Sequence, residues 1–231
     1  MAHHEPISKS RWIVAQKTEA SYWRGAEVLQ REIARIEQRF APILSRVAEK
    51  LDETSNILDV GCGPTCPAQF IEQGKKTYVD PLLDEFRRTY PAGLPKGKFI
   101  TCLAEDIHLP DASFDLILSI HALDKMHNPE LALNEIERLL KPSGVFVLGI
   151  SLYSAMVARF HYYIEKYLPG VRDDAKPYFY CPHGIRNTLE RHFTISEVVM
   201  LPVNRSLTSF VQGQDHVFIC TRKNHNSQKL E

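Results

Sequence analysis

Apolar positions over residues 33–51 recur every three or four: Ile33, Ile36, Phe40, Ile43, Val47 and Leu51. That spacing marks one face of an amphipathic helix. Pro42 lacks an amide donor and disfavours helix at Ala41, so two helices are expected to meet there. Upstream, Trp12, Tyr22 and Trp23 are expected to anchor this helical region to the body of the protein, and the sharper alternative is that they roof a ligand pocket. From residue 56 the period changes. NILDV is a short apolar run that ends in GCGPT, the pattern of a buried strand running into a glycine turn. Residues 66–73 then suit a short helix. Further strands are predicted at 77–80, 98–106, 114–123 and 145–150, with a helical stretch over 81–90. Asn128 followed by Pro129 predicts a helix start, with Leu133, Ile136 and Leu140 on its apolar face. Strands alternating with helices predict a parallel sheet covered on both faces. Beyond residue 151 an extra helix over 154–168 and another over 183–193 are expected. The runs TISEVVML and DHVFICTR are expected to close the sheet as an adjacent pair, and residues 223–231 read as a frayed tail.

Composition narrows the function. The 231 residues carry 28 basic and 28 acidic side chains. A zero balance argues against a dedicated nucleic-acid binder. No apolar run reaches the length of a membrane span, and the first residues lack the apolar core of a signal peptide. Five cysteines, an odd count, fit a reducing, cytoplasmic setting better than a disulfide scaffold. None form a Cys-x-x-Cys pair, so no metal is expected. The zero is a sum of +3 over residues 1–50, −6 over 51–151 and +3 over 152–231. The acidic middle is where the candidate chemistry falls.

The chemistry begins at LDVGCGPT, residues 58–65. Gly61 and Gly63 allow close approach of a ligand where the first strand turns, at the carboxyl edge where parallel sheets bind ligands. Asp80 ends the second strand, at the position of an acid that grips ribose hydroxyls. Two cofactor classes share this layout. A dinucleotide calls for a third glycine where this chain has Cys66, and Asp59, two residues before Gly61, would repel a pyrophosphate. A carboxylate there better suits an amine or a sulfonium cation, so the residues favour S-adenosylmethionine over NAD.

With these residues in view, the chain resembles the class I S-adenosylmethionine-dependent methyltransferases, of the small-molecule type akin to the ubiquinone/menaquinone enzymes. ILDVGCG, YVD, AEDIHLPDASFDLILS and LALNEIERLLKPSGVFVLGI carry the likeness over roughly residues 50–151. The resemblance implies an α/β, Rossmann-like doubly wound sheet of seven strands with the last antiparallel. It also implies S-adenosyl-L-methionine as cofactor and S-adenosyl-L-homocysteine as product. It places Asp59, Gly61, Cys62 and Gly63 around the methionine part, Asp80 on the ribose, and Pro81 and Leu82 near the adenine. Asp106, beside Glu105, accepts from the adenine amino group, with Ile107 on the ring. Ser119, Ile120 and His121 stand beside the sulfonium. The chain departs from the family at Thr65, where glycine is usual, and at Asp124 and Lys125, where many relatives have two histidines.

These readings give a single domain, with residues 1–50 as a helical cap, 51–151 as the cofactor core, 152–182 as a lid and 183–222 completing the sheet. His121 is the first candidate base and His127 the second. Tyr22, Trp23, His161 and Tyr162 are candidate substrate contacts. The expected reaction is methylation of a small-molecule acceptor at oxygen, by a monomer or homodimer with no nucleic-acid partner and no membrane span. An RNA or protein methyltransferase and a non-catalytic cofactor binder are the alternatives.

Overall fold

A computed structural model describes residues 6–202 and 213–223. The elements run α1 (Lys9–Tyr22), α2 (Ala26–Ala48), β1 (Asn56–Val60), β2 (Lys75–Val79), α3 (Leu83–Thr89), β3 (Lys98–Ile100), β4 (Phe114–Ile120), α4 (Pro129–Leu139), β5 (Leu140–Leu152), α5 (Ala155–Tyr167), α6 (Pro182–His192), β6 (Phe193–Met200) and β7 (Gln214–Arg222). The strands form one sheet in the order β3-β2-β1-β4-β5-β7-β6. The first five are parallel, while β7 runs antiparallel between β5 and β6. This is the doubly wound, Rossmann-like sheet that the sequence predicts. The tail expected over 223–231 lies, apart from Lys223, outside the described residues.

Strand alternation builds the two faces. Leu58, Val60 and Ile117 point to one side, where Leu133, Ile136 and Leu189 of α4 and α6 cover them. Ile57, Leu116 and Leu118 point to the other, against Phe40 and Leu44 of α2. Strands buried on both faces read as unbroken apolar runs, which is why β1, β4 and β5 are legible in the sequence.

Three expectations are corrected. Helix α2 is continuous through Pro42 rather than broken there. Leu29, Ile36, Phe40, Leu44 and Ala48 all lie buried along it, and burying such side chains, at roughly 1.5–3 kcal/mol each, outweighs a proline penalty of about 3 kcal/mol. β3 stops at Ile100, so residues 101–106 are not strand. Residues 66–73 hold only a single 3-10 turn, Pro67–Phe70, entered through Cys66 in a left-handed conformation.

α1 is held by one buried cation. Arg11, only 4% exposed, donates to Glu165 of α5 at 2.5 and 3.2 Å, and to the carbonyls of Asp174 and Asp173 at 2.9 and 2.6 Å. Hydrogen bonds to charged groups are worth about 1.5–3 kcal/mol, and cutting them leaves Glu165 with the more distant Arg172 guanidinium at 3.9 Å. Arg11→Ala is therefore expected to lower unfolding free energy by roughly 2–3 kcal/mol in urea titration.

Candidate functional site

The strand order reverses between β1 and β4, and a cleft of about 380 Å³ opens at the carboxyl ends of the parallel strands there. That volume falls in the range of roughly 300–1,000 Å³ typical of small-ligand sites. Its floor is the turn after β1. Gly61 and Gly63 have φ of +68° and +53°. A Cβ on Gly61 would stand 2.4 Å from that of Ala122, whereas one on Gly63 would meet nothing within 4 Å. Gly61 is thus a packing glycine, and Gly63 faces ligand space. Gly61→Ala is expected to cost on the order of 2–5 kcal/mol, from left-handed strain and overpacking together. Gly63→Ala is expected to cost about 1–2 kcal/mol, with the larger loss in ligand affinity; melting curves and titration calorimetry separate the two.

The loop's amides are committed inside the protein. Those of Gly61 and Cys62 donate to the Val79 carbonyl at 2.8 and 3.2 Å, and that of Cys66 donates to the Cys62 carbonyl at 3.0 Å. The Gly63 amide donates to Asp80 at 3.0 Å. A pyrophosphate would find these donors taken and, after the loop, one 3-10 turn in place of an α-helix N-terminus.

Asp80 accepts from Gly63 and, at 2.8 Å, from the Leu82 amide. A carboxylate offers about four acceptor positions, so hydroxyl donors can still be taken. Burial lifts its pKa to about 6, against the lowering effect of the two amides. Asp59 is wholly buried, accepts from the Ala68 amide at 2.8 Å, and is lifted by burial to about 7, with Asp80 adding to the rise. Two carboxyls under one cleft, neither in an ion pair among the described residues although Lys125 acts on Asp80 from a distance, fit a positively charged ligand. Burial also pushes the Cys62 thiol well up, which leaves it a neutral wall residue.

The cleft gathers most of the residues singled out from sequence. Gly61, Cys62, Gly63, Asp80, Pro81 and Leu82 form one side. Glu105, Ile120, His121, Tyr22 and Trp23 form others. Seven candidates stand off the wall. Asp59 lies fully buried off the cleft wall, bonded to the Ala68 amide. Ser119 is fully buried in the sheet. Asp106 is 75% exposed beside His108, because the strand expected to carry it ends at Ile100; Glu105 faces the cleft instead and accepts from the Asn128 amide at 2.8 Å. Ile107 is core, its amide donated to Glu135. His127 meets the edge of Trp12 at 6.2 Å. His161 stacks on Phe179 at 3.7 Å, and Tyr162 lies under Lys166.

At the end of β4 the geometry is denser than the sequence suggests. His121 has a φ of +54°, uncommon for a non-glycine residue, and its amide donates to the Gly149 carbonyl at 2.8 Å. Its Nε2 is sealed from solvent and lies 3.7 Å from Asp215 of β7. Asp215 accepts from Ser151 at 2.6 Å and pairs with Arg39 at 2.9 Å and Arg35 at 3.5 Å. Phe40 packs its ring edge-on to the imidazole at 5.3 Å. Burial drives the His121 pKa down, helped by Lys125 and Arg35 and opposed by Asp215. Burial alone would raise Asp215, but the neighbouring His121, the Ser151 hydroxyl, Arg39 and Arg35 outweigh it and hold it low. The result is a neutral imidazole beside an ionised carboxylate. Asp215, Ser151, Arg35 and Lys176 carry no local sequence signal, since they lie far from His121 in the chain. Asp124 and Lys125, where the resemblance puts histidines in many relatives, form an ion pair at 3.6 Å, and Lys176 joins Asp124 at 3.0 Å.

Residues 58–148 match the model of a methyltransferase domain. Over that stretch the chain is similar to the S-adenosylmethionine-dependent methyltransferases. Among its relatives is a thiol S-methyltransferase, TMT1B, of Mus musculus, 26% identical over 58% of this chain and 58% of that protein. Another is the ubiquinone/menaquinone biosynthesis C-methyltransferase UbiE of Cupriavidus taiwanensis, 37% identical over 37% of each. The chain thus spans at most little more than half the length of these relatives. The fold matches the 1,6-didemethyltoxoflavin-N1-methyltransferase of Burkholderia thailandensis with a TM-score of 0.67, at 17% identity and covering 96% of this chain and 94% of that one. The family's cofactor, S-adenosylmethionine, suits a cleft with a buried acid pair, an open glycine and a ribose-type carboxylate. Among the described residues no cluster could hold a metal ion.

Proposed function

We propose that this methyltransferase moves a methyl group from S-adenosylmethionine to the oxygen of a small, largely apolar acceptor, with phenols as the leading class. The observation that carries the reading is the neutral His121 imidazole in a cleft walled by Trp12, Tyr22, Trp23 and Phe86. When bound, the sulfonium supplies an activated methyl carbon. Asp80 would hold the ribose hydroxyls, Gly63 would leave room for the methionine part, and Pro81 and Leu82 would flank the base. The aromatic walls would bind the acceptor and exclude water, so that alignment supplies most of the acceleration. His121 would take the proton from the acceptor hydroxyl as the oxygen–methyl bond forms and the carbon–sulfur bond breaks, its electron pair staying on sulfur. Asp215 steadies the resulting imidazolium.

A thiol acceptor is the second reading, favoured by the relative that methylates thiols. The same imidazole would serve it. The test is S-adenosylhomocysteine formation across matched phenols, thiols, amines and a bulk RNA and protein control. Turnover on phenols is the expected result. Preference for thiols moves the nucleophile to sulfur, and tight cofactor binding with no turnover on any acceptor would make the chain a non-catalytic binder.

A further inference from the structure

We infer that the outer face of α5 and the turn after it lies on anionic lipid surfaces, with the protein docked peripherally. Six of the ten exposed large apolar side chains among the described residues fall within 156–171. Met156, Phe160, Tyr163 and Tyr167 follow steps of four, three and four, an arc of about 60° at 3.6 residues per turn. They are 51–65% exposed, and Leu168 and Val171 prolong the stripe. Scattered apolar residues are ordinary on a surface, but a contiguous stripe is not.

Charge selects the occupant. Arg159 and Lys166 lie along one flank of the stripe, Lys166 resting 5.4 Å over the Tyr167 ring. The one acid of α5, Glu165, is on the opposite side, held inward by Arg11. The outward half of the helix therefore carries only positive charge. Tyrosines mixed with apolar side chains and edged by cations suit the boundary between headgroups and acyl chains. A second copy fits less well, because a two-fold pairing of the two α5 helices brings Arg159 and Lys166 of both copies to one interface with no outward acid of α5 to meet them. Among the described residues no helix is long and apolar enough to cross a membrane, so the contact is a resting one.

The test is co-sedimentation of the full chain with vesicles of phosphatidylcholine alone or of phosphatidylcholine mixed with phosphatidylglycerol. Pelleting is expected with the anionic vesicles, little with the neutral ones, and less at high salt. The pair Arg159→Glu and Lys166→Glu should weaken binding at least about 25-fold, roughly fivefold per cation. Phe160→Ser with Tyr167→Ser should weaken it without changing salt dependence. These side chains lie off the cleft and are mostly exposed, so melting temperature and S-adenosylmethionine affinity should hold and serve as fold controls. Failure to pellet with either vesicle overturns the inference. So does unchanged binding by both variants, or a dimer in solution that the same substitutions split.

Discussion

Asp80→Ala is expected to weaken S-adenosylmethionine binding between about tenfold and a hundredfold in titration calorimetry. Hydroxyl donors on a buried carboxylate contribute about 1.5–3 kcal/mol, and each 1.4 kcal/mol is tenfold in affinity. The carboxylate is also the acceptor for Gly63 and Leu82, so alanine loosens the glycine loop as well. Asp80→Asn keeps an acceptor and separates the two effects. The pH dependence follows from burial. The ionised form is the better hydroxyl acceptor, and Asp80 is lifted to about 6. Affinity should therefore rise as pH climbs from 5 through 6, and the asparagine variant should lose that part of the rise and keep the part that follows Asp59 near 7. Stability moves the opposite way. Asp59 at about 7 and Asp80 at about 6 both stand above their ordinary value of 3.8. The folded chain thus holds extra protons between about pH 4 and 7, and its stability falls as pH rises through that window. A cationic ligand relieves that cost, so the gain in melting temperature on adding S-adenosylmethionine should be larger at pH 8 than at pH 5. Unchanged affinity in Asp80→Ala removes the ribose role.

The contrast between Asp80 and Asp106 explains what was legible. Asp80 follows an apolar run and directly closes a strand, so sequence order fixes its place at the sheet edge. Asp106 falls at the end of the strand predicted over 98–106, but that strand ends at Ile100, and in the irregular segment that follows, alternation no longer says which side chain faces the cleft. Pro42 shows a local rule losing to burial: its cost is set against a whole buried stripe that only the packed sheet creates. His121 was visible as the residue after β4. Its surroundings were not, because Arg39, Ser151 and Asp215 come from α2, β5 and β7, and only the antiparallel pairing of β5 with β7 brings Ser151 opposite Asp215. The core sheet is encoded in local period. The electrostatic setting of the site is encoded in pairings far apart in sequence.

His121→Ala is expected to lower kcat by about a hundredfold to ten-thousandfold on a phenol acceptor, the usual contribution of a positioned base. Cofactor affinity should change little, because the residues assigned to the ribose and glycine loop are untouched. The pH profile is the sharper measure. A base works in its neutral form, and burial holds His121 below the ordinary imidazole value. The rate should then stay level from pH 8 down past 6.5, where an unburied histidine would already be losing activity. Asp215→Asn tests the arrangement without removing the base. It takes away the anion that opposes burial, so the imidazole becomes a weaker base, kcat drops, and the acidic limb moves further down. Loss of turnover with an unmoved limb would make Asp215 a packing residue. Full turnover in His121→Ala would mean that the acceptor reaches the cleft already deprotonated, and that alignment by the aromatic walls is sufficient. A thiol acceptor separates these outcomes: its lower pKa should make it far less sensitive to His121→Ala than a phenol, so comparing the two substrates in one variant reads out the base directly.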